Sequence, residues 1–178
     1  MKLARLGVPA AAAFFFLLTV AGARAQTTTI YLCIGSTSSN FGASQYASCP
    51  ASKATLVTSL SFGAQLTGVA GTGTGTNPTF VPGALTFVHS TDATTAPFGR
   101  GLMSGQPMAD PIAIGINMKA ASGTTQNVTI LLQAPIVTNL TTATTGGTPA
   151  ESVSLYYTQI TVIDNSVSPP KTFTWKTK

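Results

Sequence analysis

The sequence predicts an all-β protein, a small antiparallel β-barrel or sandwich of two curved sheets with one short α-helix packed at its side. Runs rich in β-branched and aromatic residues recur at short intervals, separated by clusters of Gly, Pro, Asn and Ser. Several of these runs alternate apolar with polar residues, the period of a strand with one buried face. Only one segment, near the middle of the chain, has helical spacing.

The first 25 residues stand apart from this pattern. "MKLARLGVPAAAAFFFLLTVAGARA" places Lys2 and Arg5 before an apolar run from Val8 to Val20 and ends on Ala23-Arg24-Ala25. A basic flank, a short apolar core and an A-x-A site predict a cleaved secretory signal peptide over 1–25. The apolar run is shorter than the roughly 20 residues that a membrane-spanning helix needs, so no stable membrane insertion is expected after cleavage. Cleavage would leave 153 of the 178 residues, 26–178, enough for one domain. It would also remove three of the nine cations, leaving six against four acids, a net charge of +2. Six scattered cations give no footprint for nucleic acid, which needs Lys and Arg clustered on one surface.

The strands follow in order. "TTIYLCI" (Thr28 to Ile34) is the first, and "TLVTSLSFGAQL" (Thr55 to Leu66), with Leu56, Leu60 and Phe62 in one phase, is the second. "GVAGTGTGTNPTF" (Gly68 to Phe80) has no regular period; no Lys follows it in Walker order, so it reads as a loop and not a phosphate cradle. "ALTFVHS" (Ala84 to Ser90) is the next strand. The helix is expected at Ala96 to Ser104, where Pro97 suits a first turn and Phe98 and Leu102 lie four apart. Gly99 and Gly101 weaken it by about 1 kcal/mol each relative to Ala, so it needs the sheets to dock on.

"PIAIGINM" (Pro111 to Met118) and "NVTILLQAPIVTNLTT" (Asn127 to Thr142) continue the series. Pro135 cannot donate to a ladder, so it marks a bulge, an edge or a corner. In "ESVSLYYTQITVI" (Glu151 to Ile163), Val153, Leu155 and Tyr157 share one phase, but Ile160 and Val162 take the other. A strand that changes its buried face contains a bulge or passes from one sheet to another. "KTFTWK" (Lys171 to Lys176) ends the series.

Little in this sequence points to catalysis. His89, the single histidine, lies close to Asp92, but there is no G-x-S-x-G elbow, and His89 reads as an ordinary polar histidine. A secreted hydrolase would need it in a pocket beside a serine. The acids Asp92, Asp110, Glu151 and Asp164 each fall at a turn or strand end, where solvation accounts for them. Cys33 and Cys49 are either one disulfide, suited to an oxidising compartment, or two buried thiols. With one distant histidine they make no zinc set, and no cofactor is expected. Asn127 and Asn139 match the glycosylation acceptor, as chance allows in Thr-rich sequence.

The order of "TTTIYLCIG", "TLVTSLSFGAQ", "ALTFVHSTDATTAPFGRGLMSGQP", "VTILLQAPIVTNLTTATTGGTPAESVSLYYTQITV" and "FTWKTK" resembles the haemolysin-coregulated protein (Hcp) family, the ring-forming tube proteins of bacterial type VI secretion. The "ESVSL" strand carries the resemblance best, followed by the helix with Asp92 before it, Pro97 opening it and Gly105 after it. The segment from Gly35 to Ser52 falls outside it. The resemblance implies a barrel of two curved sheets with a side helix, and six copies closing into a ring around a wide channel. It further implies a non-enzymatic structural protein with secreted protein cargo, while the export signal and a disulfide would make this chain secreted or periplasmic in a bacterium. Ser152, Ser154 and Thr158 would suit a channel wall or a subunit seam. The alternative is a monomeric, adhesin-like secreted module that binds through its loops.

Overall fold

The computed structural model describes residues 27–67, 79–120, 122–145 and 147–176. The expected signal peptide and most of the Gly/Thr loop, Gly68 to Pro78, lie outside the described residues. The strands are β1 (Thr27–Ile34), β2 (Ala54–Ser61), β3 (Ala64–Thr67), β4 (Thr79–Pro82), β5 (Leu85–Ser90), β6 (Ile112–Lys119), β7 (Thr125–Gln133), β8 (Ile136–Thr145), β9 (Thr148–Tyr156), β10 (Gln159–Asp164) and β11 (Lys171–Lys176). Two helices join them, α1 (Ala43–Ala47) and α2 (Thr95–Ser104). Nine strands form one antiparallel sheet in the order β11-β10-β7-β6-β1-β2-β5-β9-β8, and β3 pairs with β4 in a separate ribbon. The expected all-β barrel with a side helix is therefore present, its two curved halves continuous through β1 and β2.

Two short links force the sheet to curl. The chain passes from β7 to β8 through Ala134-Pro135, and from β9 to β10 through Tyr157-Thr158. Each link joins strands six places apart in the sheet order. In a flat sheet six spacings cover roughly 29 Å, while such a link reaches only roughly 11 Å. The two ends of the sheet must therefore lie side by side. Pro135 marks this corner, where Ala134 takes a left-handed φ of 46°. The main-chain N–H groups of Thr158 and Met108 donate across it to the carbonyls of Gln133 (3.1 Å) and Pro135 (2.7 Å). The phase change after Gln159 has the same origin: β9 pairs with β5 and β8, whereas β10 pairs with β7 and β11 at the far end. The passage between sheet halves is what occurs.

The structure corrects the phase expected for β2. Val57 is buried on the inner face, while Leu56 is 50% exposed. A bulge between Val57 and Ser59 shifts the register, so that Leu60 turns inward onto the core. The same device recurs in β8, where a bulge between Val137 and Asn139 brings Leu140 inward. The two sites share a tetrapeptide pattern, Val57-Thr58-Ser59-Leu60 and Val137-Thr138-Asn139-Leu140. In each, the bulged threonine hydroxyl donates 3.1 Å to a carbonyl of the partner strand, Val88 or Ser154. Bulges increase local twist and bend, which a tightly curled sheet requires. Beyond the bulge, the expected second strand ends at Ser61, and Phe62-Gly63 leads into the ribbon.

The core lies inside the curl. Leu32, Ile114, Ile130, Leu132, Leu85, Phe87, Val153 and Leu155 are fully buried there, and Phe98 of α2 joins them. The helix starts at Thr95 and ends at Gly105, which adopts the left-handed φ of 61° typical of a helix C-cap. Gly101 is the contact face of α2, since a Cβ there would meet Val137 Cγ2 at 2.8 Å, whereas one at Gly99 would meet nothing.

A second layer covers the opposite face of β1, β6 and β7. Segment 36–50, including α1, packs Phe41 over Ala113 and Cys33, with Tyr31, Tyr46 and Leu131 around it. Its backbone approaches so closely that a Cβ on Gly115 would stand 2.0 Å from the Phe41 carbonyl oxygen. Urea unfolding should therefore separate two glycines. Gly99→Ala is expected to stabilise the protein by about 1 kcal/mol through helix propensity. Gly115→Ala is expected to destabilise it by about 1–3 kcal/mol through overpacking against Phe41.

Candidate functional site

The densest group of titratable side chains gathers where α2 meets the barrel. His89 on β5 is fully buried, and its ring packs on Phe87 and Phe98 with centroids 5.7 and 5.9 Å away. Its Nδ1 lies 3.3 Å from the Thr55 hydroxyl of β2 and 3.7 Å from Asp92 Oδ2. Its Nε2 faces Glu151 Oε2 of β9 at 3.5 Å without a hydrogen bond. The Thr55 hydroxyl donates to Asp92 Oδ2, which leaves its oxygen free to accept from Nδ1–H.

Both carboxylates also hold the start of α2. Asp92 Oδ1 accepts the Thr94 N–H at 2.8 Å and the Thr94 hydroxyl at 2.6 Å. Glu151 Oε2 accepts the Thr95 hydroxyl at 2.7 Å. This overturns the expectation for Glu151, which is 2% exposed and belongs to a buried network instead of a solvated strand end. Burial raises the Asp92 carboxyl, but hydrogen bonds from Thr55 and Thr94 and the proximity of His89 outweigh it, and the group titrates below its ordinary range. Burial, then the charge of Asp92 and then Tyr31, pushes the Tyr46 phenol up.

This arrangement ties elements together. His89 is enclosed by sheet and helix, and its ring nitrogens meet a threonine and two carboxylates, so it does not form the serine–histidine geometry a hydrolase would need. Asp92 and Glu151 face opposite ring nitrogens and so do not converge on one ion. Among the described residues, no group of three or more His, Cys, Asp or Glu could hold a metal. Asp110 pairs with Lys53 at 2.6 Å on a half-exposed surface, and Asp164 accepts the Ser166 N–H at 2.9 Å in a turn. The Cys33 and Cys49 sulfurs are bonded, with Cα atoms 6.2 Å apart. Among the described residues, no helix is long and apolar enough to cross a membrane.

The other feature of note is a surface. On the outer face of β2-β5-β9-β8, paired positions form two rows, Ser61–Thr86–Ser154–Asn139 and Ser59–Val88–Ser152–Thr141. All eight are exposed or half-buried, and none is charged. Thr86 and Ser154 share a hydrogen bond of 3.0 Å between hydroxyls. Thr158, grouped with these serines by the sequence, lies instead in the β9–β10 link, where its hydroxyl donates to the Gln133 carbonyl at 3.1 Å. The rows could have been found in sequence only with the two bulges placed, because each bulge changes which residues face outward.

A curled antiparallel sheet with a helix clamped at its side by an acid–histidine network is the fold of the Hcp tube proteins. The family model described as "Type VI secretion system effector, Hcp" matches residues 42–163, and the chain belongs to this family. Among solved structures, an Hcp protein is 17% identical over 84% of this chain and 99% of its own, with a TM-score of 0.61. Secreted protein Hcp3 from Pseudomonas aeruginosa is 16% identical over 84% of this chain and 99% of its own, with a TM-score of 0.57. A type VI secretion system effector from Yersinia pestis is 11% identical over 85% and 100%, also with a TM-score of 0.57. At these identities the likeness is one of fold. No curated protein matches the chain.

The depressed Asp92 carboxyl gives a pH prediction. A group whose pKa is lowered by folding contributes stability that is present above its unfolded value, here 3.8, and is lost as pH falls through the folded value. Urea midpoints measured from pH 7 down to 2.5 should fall more steeply below about pH 4 for the wild type than for Asp92→Asn. At neutral pH, Asp92→Asn should be the less stable of the two.

Proposed function

We propose that this chain is an exported, non-enzymatic ring subunit of the Hcp kind. Residues 1–25 are removed on export, 26–178 form one Hcp-like barrel, and six copies close into a ring whose channel admits secreted protein cargo. The Cys33–Cys49 bond forms in the oxidising compartment, the periplasm or the exterior. No nucleic acid and no stable membrane insertion are involved.

The observation that carries this reading is the uncharged double row on β2-β5-β9-β8. A sheet face of small hydroxyls is well hydrated and holds no fixed charge, so it suits the wall of a water-filled channel along which cargo of either sign moves without being trapped. On the other half of the sheet, segment 36–50 covers the outer face of β1, β6 and β7. The hydroxyl strands β2, β5, β9 and β8 are left uncovered by that segment, with a face to turn toward an axis. The catalytically inert setting of His89 agrees with a structural role.

The test is light scattering after size exclusion, with negative-stain imaging of the same peak, on protein purified from the periplasm of a bacterial host. A discrete species near six protomers with ring-shaped particles is expected. A monomer across a wide concentration range would overturn the ring and favour the secreted binding module. In rings, a cysteine introduced at Ser152 should label with a small maleimide and be protected from a bulky one.

A further inference from the structure

We propose that the Cys33–Cys49 bond is a redox latch: it holds the α1 half of segment 36–50 down on the sheet, and its reduction releases that half while the barrel stays folded. The segment is fastened at two points of unequal strength. At the first, Phe41 is fully buried, its N–H donates to Thr129 Oγ1 at 2.9 Å, and its carbonyl lies against Gly115. Nearby, Asn127 Nδ2 donates to Asn40 Oδ1 at 2.9 Å and Asn165 Nδ2 to the Ser39 carbonyl at 3.0 Å. Phe41 also packs on Ala113 and Cys33, but none of these contacts needs the sulfurs to be joined.

The second point is α1 and the turn after it. This helix has five residues, none of them buried. A helix so short has no stability of its own, since nucleation is unfavourable and propagation too brief. Its N-terminus is capped by Gln45 Oε1 accepting the Gly42 N–H at 3.0 Å, and the Tyr46 ring lies on Tyr31, with centroids 4.9 Å apart. The covalent bond from Cys49 to Cys33 is the remaining tether. Remove it, and the partly buried side chains of Tyr46 and Cys49 are left to hold 43–49 in place.

Accessibility permits the exchange. Cys49 is half-buried, whereas Cys33 is 4% exposed, so an attacking thiolate reaches the Cys49 sulfur first. Attack by one thiolate of a dithiol forms a mixed disulfide with Cys49 and expels the Cys33 thiolate, which takes up a proton. The second thiolate of the dithiol then attacks its own bonded sulfur and frees Cys49. Two electrons and two protons pass to the protein, and the dithiol ends as a disulfide. Opening uncovers Tyr31 beside Leu56, which pairs with Tyr31 and is already 50% exposed. An apolar strip on β1 and β2 is thus masked in an oxidising compartment and bared in a reducing one.

The test is hydrogen exchange read by mass spectrometry on the full-length protein, expressed with its own N-terminal segment, purified oxidised from the periplasm, then reduced with dithiothreitol after folding. Exchange of 43–49 should rise on the order of a hundred-fold, the scale of the loop constraint lost, while β1, β6 and β7 stay protected. Cys49→Ala, purified in the same way, should reproduce the reduced pattern and gain binding of an apolar dye. Unchanged protection of 43–49 after complete reduction would overturn the proposal, as would loss of protection in the segment and the sheet together. These outcomes do not depend on whether rings form.

Discussion

The fold rests on a constraint of chain length. Two links, Ala134-Pro135 and Tyr157-Thr158, connect opposite ends of a nine-stranded sheet, and nothing so short can do that unless the sheet closes back on itself. Once the ends meet, the inner face becomes a sealed core and the outer face divides into two halves with different needs. The bulges at Thr58 and Thr138 follow as well. A sheet forced into such a curl needs places where one strand gains a residue on its partner, and each bulge keeps an inward apolar residue on both sides of the bend, Val57 with Leu60 and Val137 with Leu140.

The sequence was most legible where local chemistry decides the outcome. The two-residue period of "SVSLY", the phase change after Gln159, the corner at Pro135 and the Pro97 helix all depend on neighbours a few positions apart, and all appear in the structure. The single sheet joining both halves was not legible, because it depends on β1 lying between β2 and β6 at long sequence separation. The inward face of β2 was misjudged for a related reason. Leu56, Leu60 and Phe62 share a phase only if the strand is regular, and the bulge at Thr58 breaks it. Glu151 was read as solvated because its partners, Thr95 and His89, lie far from it in the chain. Helix α1 gave no signal, being too short to show a period.

The acid–histidine group shows how a constellation that resembles catalytic machinery can be structural. Helix α2 contains two glycines and buries little besides Phe98 and Gly101, so its attachment needs polar help. Thr94 and Thr95 at its start are gripped by Asp92 and Glu151, and these are joined through His89 and Thr55 to three strands. A hydrogen bond to a charged group is worth more than a neutral one, about 1.5–3 kcal/mol. In a protein with few ion pairs, placing two of its four acids here concentrates that strength at the joint between helix and barrel.

The outer face raises the same problem twice and solves it in two ways. An exposed sheet face with apolar side chains invites association, and charge would be the usual protection, yet this chain is thinly charged. On β1, β6 and β7 the outward residues include Tyr31, Cys33 and Leu131, and segment 36–50 covers them. On β2, β5, β9 and β8 they are mostly serine and threonine, and their hydroxyls hydrogen-bond along the surface or to the partner strand. The covered half is therefore fixed by packing and the bare half by hydration. The hydroxyl strands can face water without rearrangement, whereas β1, β6 and β7 need their cover, so the two regions of the outer face differ before any neighbour is added.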